Sequence, residues 1–82
     1  MRVQLISPER ALYDGEASAV RAPAYDGDVG ILPQHAPFLT LLGEGPLTIT
    51  QGGATNAFQV RGGFLQVVSD IVRIVAEDAQ TA

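Results

Sequence analysis

The chain has 82 residues, of which 46% are hydrophobic and 17% are charged, and it contains no cysteine. This length corresponds to one domain, the apolar fraction argues against intrinsic disorder, and the missing cysteines exclude disulfide bonds and thiolate metal sites. Because the five arginines are dispersed and the net charge is −4, we do not expect a nucleic-acid partner. No apolar run approaches the roughly 20 residues that cross a bilayer, and no signal peptide is recognisable, which predicts a soluble, unexported protein.

Short stretches in which apolar and polar residues alternate run along the whole chain and predict half-buried β-strands. Their apolar residues are Val3, Leu5, Leu47, Ile49, Phe58, Val60, Leu65, Val67, Val72, Ile74 and Ala76. Turn-forming segments separate these stretches at Ser7-Pro8, Asp14-Gly15, Asp26-Gly27, Gly43-Glu44-Gly45-Pro46, Gln51-Gly52-Gly53, Arg61-Gly62-Gly63 and Ser69-Asp70. This spacing is typical of all-β proteins, so we predict one antiparallel β-sandwich or barrel over residues 1–82.

Four of the turn sequences allow more specific predictions. Gly52-Gly53 and Ser69-Asp70 each lie between two strand-like stretches and predict tight hairpins. Gly62-Gly63 predicts a β-bulge or a close approach of two backbones. The segment from Ser7 to Ala11 has the form of a helix N-cap followed by proline, but another turn follows at once, so we predict a turn there.

The segment from Asp26 to Leu42, DGDVGILPQHAPFLTLL, contains the only histidine of the chain. Glycines allow it to bend and two prolines, Pro33 and Pro37, restrict its backbone on either side of His35. A loop held in one shape indicates recognition by a partner. A lone histidine near prolines is more often a structural hydrogen-bonding group, and both interpretations of His35 stay open at this stage.

The strand that follows this loop is apolar on both of its faces. Phe38 and Leu42 fall on one face, Leu39 and Leu41 on the other, and Thr40 is the only polar interruption. A strand with one solvent-exposed face would carry more polar residues, so we predict that part of this strand contacts a partner.

The sequence offers little for catalysis or for binding metals. It has no cysteine, one histidine and three serines, none of which lies in a G-x-S-x-G elbow. Asp26 and Asp28 resemble the start of a calcium loop, but the remaining ligands are missing, so this acidic tip is either simply solvated or contacts a partner. The glycine pairs are not followed by a helix that could hold phosphate. We therefore expect neither an enzyme nor a cofactor.

Three segments together identify a family resemblance. They are VQLISPERALYDGEA over residues 3–17, DGDVGILPQHAPFLTLLGEGPLTI over 26–49 and FQVRGGFLQVVSDIVRIVAEDA over 58–79. The chain resembles, over nearly its whole length, the N-terminal β-sandwich domain of the epsilon subunit of rotary F-type ATP synthases, whose mitochondrial counterpart is called delta.

The resemblance implies a fold, a function and a set of contact residues. The fold would be a flattened sandwich of about ten short strands. The function would be that of a non-catalytic rotor subunit, which links the gamma subunit to the c-ring in the central stalk and couples ion translocation to ATP synthesis. Ser7, His35, Pro37, Phe38 and Thr40 correspond to the gamma contact. Asp26, Gly27 and Asp28 correspond to the contact with the c-ring.

The resemblance also implies a location and one difference from other members. The protein would lie at the cytoplasmic face of a bacterial plasma membrane, attached only through the complex. Family members commonly continue into a C-terminal helical hairpin, which this sequence of 82 residues lacks. The alternative interpretation is a stand-alone β-sandwich module whose proline loop binds a soluble protein or a small ligand.

Overall fold

The computed structural model describes residues 1–82 and folds them into eight β-strands. These are β1 (Arg2–Ile6), β2 (Ala11–Glu16), β3 (Ala19–Ala24), β4 (Gly27–Ile31), β5 (Phe38–Leu41), β6 (Glu44–Gln51), β7 (Ala54–Val68) and β8 (Ile71–Thr81). The strand order is β2-β1-β8-β7-β6-β3-β4, and β5 pairs with β7 outside this path. No helix has the length and apolar character that spanning a membrane requires.

Strands β7 and β8 pass through two layers of the sandwich. Strand β7 pairs with β6 through residues 54–61 and with β5 through residues 64–67. The first layer therefore contains β2, β1, β8, β7 and β5, and the second contains β8, β7, β6, β3 and β4. The predicted sandwich is confirmed, with eight continuous strands in place of about ten short ones, because two strands contribute a segment to each layer. Pairing is antiparallel except between β1 and β8, which run parallel.

The passage between the layers occurs at Gly62 and Gly63, whose φ angles are 68° and 102°. The two left-handed residues reverse the pleat, so that even-numbered residues such as Val60 are buried before them and odd-numbered ones such as Leu65 after them. A Cβ atom on Gly63 would overlap the carbonyl oxygen of Val75. The predicted close approach of backbones is therefore confirmed, and the pairing register with β8 is the same on both sides, so there is no bulge.

One core of sixteen buried apolar residues lies between the layers. All eleven apolar positions that the alternation predicted to face inward belong to it, and the other five are Ala17, Val20, Ala22, Ile31 and Leu42. No buried side-chain nitrogen or oxygen lacks a hydrogen-bond partner. Because the domain has no disulfide, this core is the main source of its stability.

The tight hairpins predicted from the sequence are both present. Ser69 and Asp70 form the two-residue turn between β7 and β8 with φ angles of 51° and 62°, as a type I′ turn requires. Gly52 has a φ of 61° in the two-residue turn between β6 and β7. Residues 7–10 form a turn and not a helix, closed by a hydrogen bond from the Ser7 amide to the Arg10 carbonyl at 2.9 Å.

Replacing Gly63 with alanine is expected to lower the free energy of unfolding by roughly 3 kcal/mol or more. Alanine rarely adopts the positive φ angle of residue 63, and its methyl group would overlap the Val75 carbonyl oxygen. Urea denaturation of the two proteins measures the difference. Gly30→Ala is the matched control, since a Cβ there meets no atom within 4 Å. An equal effect of both substitutions would show that the passage between the layers is not tightly packed.

Candidate functional site

Exposed apolar side chains concentrate on the outer side of the first layer. We call this surface the docking face; it consists of Leu39, Leu41, Phe64, Val68 and Ile71. The register places them on one side, since Leu41 pairs with Phe64 and Val68 pairs with Ile71. Leu39 and Leu41 are 67% and 61% exposed, which is unusual for two leucines on one short strand. Apolar side chains that are exposed together on one side of a sheet indicate a protein partner.

A depression of about 880 Å³ lies beside β5 and extends the docking face around its edge. Its lining residues are Tyr25, Asp26, Phe38, Leu39, Thr40, Leu41, Phe64 and Gln66. The tip of the β3–β4 hairpin forms its far side, held there by a hydrogen bond of 3.0 Å from the Tyr25 amide to the Leu41 carbonyl. Residues from both faces of β5 therefore line one concave surface.

The loop before β5 is fixed by hydrogen bonds at its start and by a proline at its end. The His35 amide donates to the Leu32 carbonyl at 3.2 Å across a turn in which Gln34 has a φ of 65°. The Gln34 amide donates to Asp70 Oδ1 at 2.7 Å, which ties this loop to the β7–β8 turn. Pro37 then restricts the backbone directly before β5. The predicted single shape of the loop thus has a physical cause.

Asp70 connects three separate parts of the chain. Besides accepting from Gln34, its Oδ2 lies 3.7 Å from the N-terminal amine, and its carbonyl accepts from the Arg2 amide at 3.1 Å. A charged acceptor strengthens such hydrogen bonds. The β7–β8 turn therefore holds both the N terminus and the loop that leads into β5.

His35 is half-buried within the loop and has contacts inside the domain. Its Nδ1 lies 2.7 Å from the Ala36 carbonyl oxygen, and its ring packs edge-on against Phe38 with ring centres 5.7 Å apart. Phe38 in turn packs against the core. The interpretation of His35 as a structural group is thus supported by geometry, while its contact with a partner remains a prediction.

The two carboxylates of the acidic tip, Asp26 and Asp28, have different surroundings. Tyr25 and Asp26 are the central residues of the two-residue turn between β3 and β4, and Gly27 follows with a φ of 132°. Asp28 Oδ2 lies 3.7 Å from Arg21 Nε on the exposed surface. Asp26 has no ion-pair partner and lines the depression together with residues of β5.

Ser7 lies apart from the other residues of the predicted gamma contact. Its side chain is only 6% exposed, and its hydroxyl donates to the Arg10 carbonyl at 3.2 Å within its own turn. It follows β1, which is separated from β5 by β8 and β7, a distance of about 14 Å at normal strand spacing. Of the five predicted gamma-contact residues, only Phe38 and Thr40 line the depression.

Sequence reasoning missed the most exposed members of this site. Leu39 and Leu41 are apolar in the sequence, but the predicted contact residues do not include them. The alternation along β5 could have identified them, because both leucines fall on the side opposite to Phe38, which packs against the core. Tyr25 and Phe64 come from distant parts of the sequence, and only the folded register brings them to β5.

The site contains no arrangement for metal chemistry, since no group of three or more histidine, aspartate or glutamate side chains could hold an ion. What it presents is an apolar surface on a β-sandwich, with polar groups at its edges. The fold and this surface define the class as a β-sandwich domain with an exposed apolar face. Residues 1–82 match the family described as "ATP synthase, Delta/Epsilon chain, beta-sandwich domain", so the chain belongs to this family.

Curated relatives support the same assignment. The chain is 43% identical over all of its 82 residues to the ATP synthase epsilon chain of Caulobacter vibrioides and spans 95% of that protein. It is 39% identical to the ATP synthase epsilon chain of a Roseiflexus species but spans only 59% of it. These proteins are non-catalytic subunits of ATP synthase, which confirms the prediction that the chain is not an enzyme.

Two solved structures are similar in fold. A chain of the Tetrahymena thermophila mitochondrial ATP synthase, in a structure of its central stalk and c-ring, matches with a TM-score of 0.84 and 22% identity, covering 99% of this chain and 66% of that one. A chain of the Euglena gracilis mitochondrial ATP synthase matches with a TM-score of 0.89 and 23% identity, covering 96% and 51%. At these identities the similarity establishes the β-sandwich fold.

Replacing Asp70 with glycine is expected to accelerate hydrogen exchange of the Gln34 amide by about tenfold or more, because a bond to a charged acceptor is lost while the turn keeps its left-handed φ. Exchange followed by NMR measures this amide directly. Ser69→Gly is the control, since it changes the same turn and leaves the carboxylate in place. Similar exchange rates in both variants would contradict the role of Asp70 in fixing the loop.

Proposed function

We propose that this chain is a rotor component of a bacterial F-type ATP synthase, joining the gamma subunit to the c-ring in the central stalk. The observation that carries the proposal is its 43% identity to a bacterial epsilon chain over nearly the full length of both proteins. The central-stalk position is supported by the fold it shares with a chain of the Tetrahymena stalk structure. It would thus couple ion translocation to ATP synthesis from the cytoplasmic face of the plasma membrane.

The gamma subunit is proposed to bind the docking face and the depression beside β5. Leu39 and Leu41 expose most of their surface to water, and burying a leucine completely is worth about 1.5–3 kcal/mol. Phe38 and Thr40 contribute at the edge of β5, while His35 and Pro37 hold the loop that precedes it. Ser7 would belong to a separate part of the contact, reached across the first layer.

The c-ring is proposed to meet the tip of the β3–β4 hairpin around Asp26, Gly27 and Asp28. Asp26 lies in the turn and Gly27 and Asp28 are the first paired residues of β4, and all three residues are exposed. Its carboxylates suit the basic and amide groups of a polar loop. The hydrogen bond from the Tyr25 amide to the Leu41 carbonyl joins this tip to β5, so the two proposed contact surfaces are directly connected.

Replacing Leu39 and Leu41 together with glutamine is expected to weaken binding to the gamma subunit of the same organism by about tenfold or more. Both side chains are largely exposed, so the thermal unfolding temperature should change little. Isothermal titration calorimetry measures the affinity. Leu32→Gln is the matched control, because Leu32 is 64% exposed but lies outside the docking face. Unchanged affinity in the folded double variant would show that gamma binds elsewhere.

Replacing Asp28 with asparagine is expected to weaken attachment of the complex between this chain and gamma to membranes that contain the c-ring, by about three- to fivefold at low salt. The affinity for gamma should not change. Co-sedimentation over a range of salt concentrations measures the attachment. Asp78→Asn is the control, since Asp78 forms a comparable exposed ion pair with Arg61 but lies away from the tip. Equal attachment of both variants would count against a c-ring contact through Asp28.

A further inference from the structure

Two unpaired charges of opposite sign flank the docking face. Three of the five arginines form ion pairs, Arg2 with Asp14, Arg21 with Asp28 and Arg61 with Asp78. Arg73 has no such pair, although it is exposed on the outer side of the first layer. Asp26 likewise has none and lines the depression on the other side of β5.

Arg73 has no charged residue as a direct cross-strand neighbour. Its partner on β7 is Gln66 and its partner on β1 is Gln4, so both cross-strand neighbours are uncharged amides. Gln66 is also the partner of Leu39 on β5. Arg73 therefore lies two strand spacings, or about 10 Å, from Leu39, on the same side of the sheet.

The surroundings of Asp26 are suited to a cation. It lies beside Tyr25, whose side chain is 69% exposed and lines the same depression. An arginine or lysine placed there could pair with the carboxylate and also lie against the aromatic ring. The surface between Asp26 and Arg73 spans β5 and β7 and presents Leu39, Leu41, Phe64 and the amide of Gln66. Since Leu39 and Arg73 alone are about 10 Å apart, this surface is wide enough for an α-helix, whose diameter is roughly 10 Å.

We propose that Asp26 and Arg73 set the direction in which an amphipathic helix of the gamma subunit lies on the docking face. The helix would present a basic side chain on the flank that faces Asp26 and a carboxylate on the flank that faces Arg73. An apolar stripe alone fits in either direction, whereas in the reversed direction like charges would meet on both flanks. This inference rests on the proposed function and names the chemistry of its partner.

One consequence concerns the hairpin tip. Asp28 is engaged with Arg21, whereas Asp26 is free and borders the depression. Asp26 is thereby assigned to the gamma side of the tip, which leaves Gly27 and Asp28 for the c-ring. Two carboxylates separated by a single residue would thus act on different partners.

The test is the affinity of the full 82-residue chain for the gamma subunit, measured calorimetrically at low and moderate salt. Asp26→Asn and Arg73→Gln should each weaken binding about fivefold and reduce its salt dependence. The exchange variant, Asp26→Lys with Arg73→Glu, should weaken it by about fiftyfold or more. This exchange keeps the net charge at −4. A loss of affinity would therefore result from the positions of the two charges and not from a change in total charge.

Asp28→Asn and Arg61→Gln serve as controls, because both residues are exposed and belong to ion pairs away from the docking face. They should change the affinity less than about twofold. If the wild-type chain binds gamma and the exchange variant binds equally well, the inference about direction is overturned and the proposed function stands. If the wild-type chain does not bind gamma, the proposed function itself is overturned.

Discussion

The backbone contact at Gly63 is the constraint on which the rest of this domain depends. Strands β7 and β8 come so close there that a side chain on residue 63 would overlap the carbonyl oxygen of Val75. Two consecutive left-handed residues also reverse the pleat, which directs Phe58 from one layer and Leu65 from the other into the same core. Without this reversal, one half of β7 would bury its polar residues. A single long hairpin can therefore build both sides of the sandwich.

The same constraint creates the docking face. Because β7 leaves β6 at the glycine pair, its last residues are free to pair with β5, which has no other strand partner. The hairpin tip at Tyr25 then closes part of the open edge of β5, and the loop before β5 is held by the turn at Asp70. The apolar surface is thus placed by the glycine pair of β7 and by contacts from two turns, and its shape does not depend on one flexible loop.

Much of the fold followed from the alternation of apolar residues, since every position predicted to face inward is buried. The strand count did not follow, because Gly62-Gly63 reads as a turn between two strands, whereas its role depends on the neighbouring β8. The candidate site was predictable only in part. The sequence shows that β5 is apolar on both faces. The proximity of Tyr25, Leu41 and Phe64, however, depends on pairing between distant segments. The assignment of gamma and the c-ring came from the family resemblance.

The β7–β8 ladder has a mechanical consequence. It joins ten residue pairs, from Val68 with Ile71 to Phe58 with Thr81, and runs without a break in register through both layers. A force that slides one strand along the other is resisted by all of the ladder's hydrogen bonds at once, in parallel. A force that pulls an edge strand such as β4 away from the sheet meets its bonds one after another. The domain is therefore stiffest along the axis of its longest hairpin and softest at its short outer strands.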